Sequence, residues 1–260
     1  MDFSIVIPTL NRIELLKRAV NSVLRQSYRS YEVIIVDDGS RCPPELLNVN
    51  AETEILVIVQ EKTKGAAAAR NAGIEAASGS YISFLDDDDE YFPDFLLRTK
   101  TTIEAADKPA FSWCGAQLVH YDSWNNAKAI NIRQPPGKFL KQEDVLTETL
   151  SIGTGYGLTV RADCFRSLGT FDTSFRMVED MELFFRLLSS GMTPTIIRDI
   201  LVRIHHHNGD RLTDRKFDEE RAAECERLFD MYRSFINERP SVRRQLESHI
   251  DRLRDGSGWR

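Results

Sequence analysis

The sequence predicts an α/β fold built on a doubly wound, mostly parallel sheet, and three observations predict it. Short apolar runs alternate with helical patterns over roughly the first hundred residues. Those runs lack polar alternation, as strands covered on both faces do. Polar residues collect directly after each run, at the strand ends where such sheets bind ligands.

Residues 3–8 read as the first strand. Residues 12–26 repeat Ile13, Leu15, Leu16, Ala19, Val20, Val23 and Leu24 at helical spacing, and Asn11 with Glu14 three positions on predicts a capping box at the helix start. Residues 31–36 and 55–59 are further buried strands. The Ala-rich segment 65–77 is helical, and Ser78-Gly79-Ser80 ends it before a strand at 81–85. Pro93 opens a helix carrying Phe95, Leu96, Leu97 and Ile103. In the second half, 111–121 is a strand, whereas 122–141, with Asn125-Asn126 and Pro135-Pro136-Gly137, reads as a long functional loop. Residues 156–160 return to the sheet, 181–188 are helical, 195–204 are extended, and the chain from Phe217 onward is helical and charged.

The 260 residues carry 34 Lys+Arg against 40 Asp+Glu, a net charge of −6 that lacks the positive field of a nucleic-acid partner. Cys42, Cys114, Cys164 and Cys225 lie too far apart for a zinc motif and read as packing residues in a reducing compartment. No apolar run approaches the ~20 residues that span a bilayer, and the first residues lack the pattern of a signal peptide. A cytoplasmic setting is expected, with at most peripheral contact at the inner face of the membrane.

Thr9 and Asn11 follow the first strand, Asp37-Asp38-Gly39-Ser40 the second, Lys62 and Lys64 the third, and Asp86-Asp87-Asp88-Asp89-Glu90 the fourth. A parallel sheet brings all four clusters to one rim. Five consecutive acids raise one another's pKa unless a cation neutralises them. Mn²⁺ or Mg²⁺ with oxygen ligands does so and keeps positions open for phosphate oxygens. A solvated acidic loop is the plain alternative. An EF-hand is excluded, because Tyr91 and Leu97 stand where its glycine and glutamate belong.

VIPTLNR at 6–12, VDDGS at 36–40, KGAAAARNAGIEAASGSYISFLDDDD at 64–89 and FDTSFRMVEDMELFFRL at 171–187, in that order, resemble the family 2 inverting glycosyltransferases of GT-A fold. The resemblance runs over residues 3–213. It implies a glycosyltransferase domain over 1–213, with a nucleotide-binding half (1–106) and an acceptor and catalytic half (107–213), followed by a helical extension (214–260). It places Thr9, Asn11, Asp38, Gly65 and Arg70 on the nucleotide side, with Asp38 accepting from the N3–H of uracil; Arg70 alternatively pairs within the fold. Asp88 matches the metal ligand of the DxD motif, and Asp86 or Asp87 would contact ribose or metal-bound water. Asp180 matches the general base, although two acids opening a helix also suit its dipole. His205, in an Arg-x-His context, would complete the metal sphere or approach the diphosphate, with His206 and His207 as alternatives.

The implied reaction is a single displacement that moves a hexose or N-acetylhexosamine from a UDP-sugar to an acceptor hydroxyl, with Mn²⁺ or Mg²⁺ as cofactor. The implied acceptor is a glycan or glycolipid, a lipid-linked intermediate of bacterial surface polysaccharide. A glycosidase leaves VDDGS and the acid run unexplained. A sugar-nucleotide pyrophosphorylase would carry a glycine-rich loop where Pro8-Thr9-Leu10-Asn11 stands, and a non-enzymatic binding module would not need Asp88. Gly153-Thr-Gly155-Tyr-Gly157 lacks the Lys-Ser/Thr of a phosphate loop. Trp113, Trp124 and Tyr156 suit core or loop packing, with sugar stacking the alternative. The arginine-rich apolar stripe of the last helices suits intramolecular packing, a homodimer or a membrane surface.

Overall fold

The computed structural model describes residues 1–42, 53–106, 108–122, 126–135, 145–147, 156–192, 194–206 and 215–256. Strands β1 (Phe3–Thr9), β2 (Tyr31–Asp37), β3 (Ile55–Val59) and β4 (Tyr81–Phe84) pair in parallel in the order β3-β2-β1-β4. Helices α1 (Ile13–Leu24), α2 (Ala66–Ala76) and α3 (Phe95–Ala105) connect or follow them. Alternate strand residues feed two cores. Ile5, Ile7, Val33 and Ile35 meet Leu16, Val20 and Val23 of α1 and Phe95 of α3, while Val6, Ile34 and Ile82 face the α2 side. Both faces of β1, β2 and β4 are covered, which accounts for their unbroken apolar runs, whereas β3, predicted as a buried strand, lies at the sheet edge with none of its residues buried and Leu56 and Val59 exposed.

The second half adds β5 (Glu90–Tyr91), β6 (Phe111–Tyr121), β7 (Ala127–Arg133), β8 (Thr159–Arg161) and β9 (Pro194–His206). The sheet continues as β4-β8-β6-β9-β5, with β7 on β6. Here β8 runs antiparallel to β4 and β6, whereas β6 and β9 are parallel. Helices α4 (Ala162–Leu168) and α5 (Glu179–Ser189) follow β8. The chain ends in α6 (Asp218–Met231), α7 (Arg233–Asn237) and α8 (Pro240–Arg254). Their apolar stripe is spent inside the molecule, where Cys225, Leu228, Ile236, Leu246 and Leu253 join the core cluster that holds Phe184 and Phe185 of α5.

Two further local expectations fail. Asn11 does not cap α1: it adopts φ 56°, its Oδ1 accepts from the Arg41 N–H at 2.9 Å, and its own N–H donates to Ser40 Oγ at 2.7 Å. The side chain is used to tie the loop after β1 to the loop after β2. Part of the expected 122–141 loop is strand β7, whose residues 127–132 are all exposed. Pairing with the edge of β6 from Ala116↔Arg133 to His120↔Ala129 holds it, and no buried side chain announces it in the sequence. Trp113 is core, at 1% exposure, and Tyr156 packs against the second core. At Gly157, with φ +65°, an added Cβ would lie 2.4 Å from Cys114 Sγ, so packing explains this glycine. Trp124, Gly153, Gly155 and His207 lie outside the described residues.

Candidate active site

The rim at the carboxyl ends of β1, β2 and β4 assembles as expected. Gly39, at φ +87°, presses its turn against Lys62 and Thr63, where an added Cβ would stand 2.8 Å from the Thr63 nitrogen. That turn brings Asp38 to the backbone after β3, where its two carboxylate oxygens accept from the N–H groups of Lys64 (2.8 Å) and Gly65 (2.9 Å). Thr9, at the end of β1, donates its hydroxyl to Asp87 Oδ2 at 2.7 Å. Thr9, Asn11, Arg12, Ser40 and Arg41 line a cavity of about 140 Å³ between the two loops.

The acid run is not a solvated loop. Asp87, Asp88 and Asp89 are buried, and Asp86 is the more open of the four. Arginines from separate elements supply the compensating charge. Arg12, just before α1, donates to Asp87 Oδ1 at 3.2 Å and Asp88 Oδ2 at 3.3 Å, and Arg18 of α1 donates to the Asp88 carbonyl at 2.6 Å. Burial opposes the Arg12 charge, but Asp87 and Asp88 outweigh it and raise its pKa. Burial, reinforced by Asp88 and Asp86, pushes the Asp87 carboxyl up to about 6 despite Thr9 and Arg12.

Carboxylate oxygens of Asp86, Asp88 and Asp89 lie within 4.8 Å of one another. Three hard oxygen donors so close fit a divalent cation such as Mg²⁺ or Mn²⁺. His205, expected to complete the metal sphere or approach the diphosphate, is not part of that carboxylate set. Its Nδ1 is 2.6 Å from the Tyr121 hydroxyl and its Nε2 is 2.8 Å from Glu90 Oε1, so both ring nitrogens are engaged. Its backbone N–H instead donates to Asp89 Oδ1 at 3.0 Å, supporting the acid loop from β9. The His205 hydrogen bond, with Arg18 and Arg203 nearby, holds the Glu90 carboxyl below the usual range.

The chain from 171 to 180 reaches the same rim. Asp180 lies in the first turn of α5, with Oδ1 accepting from the Met181 N–H at 2.7 Å. Beside it, Glu179 is buried and accepts from Arg70 Nη1 at 2.6 Å, while Arg70 Nη2 donates to Asp86 Oδ1 at 2.8 Å. Arg70 is therefore paired within the fold. Burial and the neighbouring Asp180 raise the Glu179 carboxyl above the usual range, with Arg70 pulling the other way. Gly65 precedes α2 at φ +95° with open space around it. Sequence reasoning did not single out Arg12 or Asp89, and it ranked Glu179 below Asp180. Arg12 lies inside the first motif and Asp89 inside the acid run, so position was the available signal for both.

A mostly parallel sheet with three clustered carboxylates after β4 and an acid-led helix tied to the same rim through Arg70 defines the class, an α/β protein with an acidic site at its strand ends. Residues 4–169, well over half of the chain, match the family described as Glycosyl transferase family 2, and the chain belongs to that family. It is 32% identical over 189 residues to the uncharacterized glycosyltransferase YwdF of Bacillus subtilis, covering 72% of this chain and 68% of YwdF. An uncharacterized glycosyltransferase of Rickettsia typhi is 29% identical over 189 residues, covering 71% of this chain. The chain spans only 58% of that relative's length. WcaA of Escherichia coli K12, named for colanic acid biosynthesis as a glycosyl transferase, is 27% identical over 214 residues, covering 80% of this chain and 73% of WcaA. Among solved structures, S. aureus TarS 1–349 in complex with UDP-GlcNAc shares the fold at a TM-score of 0.68 and 17% identity, covering 86% of this chain and 66% of that one. Among the described residues, no helix is long and apolar enough to cross a membrane.

Proposed function

We propose that the protein transfers a hexose or N-acetylhexosamine from a UDP-sugar to an acceptor hydroxyl with inversion, and that the acceptor is a glycan or glycolipid of surface polysaccharide synthesis. The observation that carries the reading is the joining of Thr9, Asp38, the acid triad and the first turn of α5 on one rim. The UDP-GlcNAc held by TarS and the name of WcaA support the donor and acceptor classes.

In this reading Thr9, Asn11 and Asp38 bound the nucleotide pocket, and Asp38 presents a carboxylate to the uracil N3–H. Gly65 lets the backbone approach the nucleotide without a side chain between them. Asp88, with Asp86 and Asp89, would hold Mn²⁺ or Mg²⁺, which would supply positive charge to a departing diphosphate. Asp87 stays with Thr9 and Arg12 and shapes the loop. Asp180 takes the proton of the attacking hydroxyl from the face opposite the leaving group. His205 serves as the prop of Asp89.

Titration of UDP, GDP and TDP into the protein with Mn²⁺, then with EDTA, and into Asp88→Ala, tests the reading. UDP binding that requires both metal and Asp88 is expected. Failure of every nucleotide to bind, with or without metal, overturns it.

A further inference from the structure

Arg70 and Asn71 are consecutive residues of α2, and both reach across to the segment that ends in the base-bearing turn. Asn71 Nδ2 donates to the Phe171 carbonyl at 2.8 Å, and its Oδ1 accepts from the Phe171 N–H at 2.9 Å. Arg70 then spans from Asp86 to Glu179 with bonds of 2.8 and 2.6 Å, its guanidinium carbon 5.5 Å from the Phe171 ring centroid. Arg70 is 7% exposed and Glu179 is 6% exposed.

Burying a charged pair is costly unless its geometry is well satisfied, so such a pair is weak evidence for stability alone. This one joins the most open acid of the metal-type triad to the residue immediately before Asp180. Both ends are polar groups of the site, and the bridge between them is fixed by a planar guanidinium. From this geometry, and resting on the function proposed above, we infer that Arg70 and Glu179 are positioning residues: a buried strut that sets the reach of Asp180 relative to the acid loop. Proton removal from the acceptor then depends on the strut, and holding the nucleotide does not.

The rotation of α5 that Glu179 fixes is the rotation that aims Asp180. Without the Arg70 anchor, the first turn of α5 keeps its backbone but loses the side-chain tie to the loop that holds the leaving group. Misplacement of a catalytic group by about 1 Å costs on the order of a hundredfold in rate. The strut thus predicts a defect in turnover rather than in ground-state binding.

The test uses the full chain, with UDP plus Mn²⁺ as the binding probe. Turnover is followed as release of UDP from UDP-GlcNAc, UDP-glucose or UDP-galactose, with water as acceptor. Glu179→Gln keeps shape and volume, and Arg70→Lys keeps charge but loses the fork. Glu179→Gln, which leaves the Arg70–Asp86 bond in place, is expected to bind UDP with a Kd within about threefold of wild type and a one-to-one stoichiometry, while kcat falls about tenfold or more and KM stays within about threefold. Arg70→Lys, which also loosens Asp86, is expected to lose kcat at least as far and to weaken metal-dependent UDP binding as well. Glu179→Asp, which retains the charge, is expected to recover part of kcat. A purely structural pair would lower the melting temperature and leave the kcat of the UDP-binding fraction unchanged.

If Glu179→Gln keeps wild-type kcat while wild-type protein binds UDP, the strut is overturned and the proposed function stands. If Arg70→Lys does not fold, Glu179→Gln decides alone. If wild-type protein binds no UDP and releases none from any of the three donors, the proposed function and the strut fall together.

Discussion

Two of the clusters of buried charged groups among the described residues, one at the rim and one in the C-terminal helices, are built in different ways. At the rim, four acids of one loop are met by Arg12, Arg18 and Arg70 and propped by His205, so the partners come from α1, α2 and β9 and from the segment just before α1. In the C-terminal helices, Asp218 pairs with Arg221 of the same helix, three positions on, and buried His249 of α8 lies nearby. Asp218 Oδ2 and Arg221 Nε find no hydrogen-bond partner among the described residues. A network drawn from distant elements fixes their mutual placement, which chemistry needs. A local pair within one helix fixes only that helix, so its cost and benefit are read in stability.

The sharpest way to break that contrast is to strike each cluster and ask which property moves. Asp180→Asn is expected to lower turnover by roughly 10²–10⁴-fold, the usual worth of a general base, with UDP affinity and melting temperature near wild type. Steady-state release of UDP and calorimetric titration check it, and retention of turnover would remove Asp180 from the base role. Arg221→Met strands a buried carboxylate and is expected to cost about 3 kcal/mol in urea unfolding while UDP binding is unchanged. A loss of nucleotide affinity in that variant would erase the distinction between the two clusters.

The same contrast governs what could be read from the chain alone. The parallel half was legible because β1, β2 and β4 are covered on both faces and their polar residues follow at once, so Thr9, Asp38 and the acid run fell on one rim without any knowledge of side-chain partners. Pairings between distant residues were not legible. Nothing in the spacing of Arg70 and Glu179, 109 positions apart, signals a bond between them. The ring of His205 is turned to Glu90 and Tyr121 by the register of β9 against β5 and β6, a tertiary fact. Strand β7 was hidden for a different reason: it is held by backbone pairing and carries Ile130 and Ile132 outward. The helical C-terminal stripe was visible, and its partner, the α5 side of the core, was not.

The C-terminal cluster also carries a pH signature opposite in sign to that of the rim, where the raised Asp87 and Glu179 carboxyls favour the folded state as the pH falls. Burial, helped by the positive charges of Arg252 and Arg221, pushes His249 down to about 4, so it is neutral in the folded protein. The unfolded chain takes up that proton near pH 6.5 and the folded chain only near 4. Stability from this group is therefore complete above about pH 6.5 and is lost as the pH falls towards 4, by at most about 3 kcal/mol. Urea midpoints of wild type and His249→Gln at pH 7 and pH 5 check it. The drop between the two pH values should shrink in the variant, and an equal drop in both would assign the acid sensitivity elsewhere.

The smallest effect expected lies at the junction of the two rim loops. Asn11 holds φ 56° and donates and accepts across to Ser40 and Arg41, so it combines a strained backbone with a tie between loops. Asparagine tolerates that conformation better than most residues, and alanine does not. Asn11→Ala should cost roughly 1 kcal/mol through the backbone and lose the Arg41 contact as well. Asn11→Gly relieves the backbone and loses only the contact. If the tie shapes the nucleotide pocket, both variants weaken UDP binding by a similar factor while only the alanine lowers stability. If UDP affinity instead follows stability, falling in Asn11→Ala and recovering in Asn11→Gly, then backbone strain and not the side-chain tie is what the rim requires at this position, and the rim is in that respect no different from the C-terminal pair.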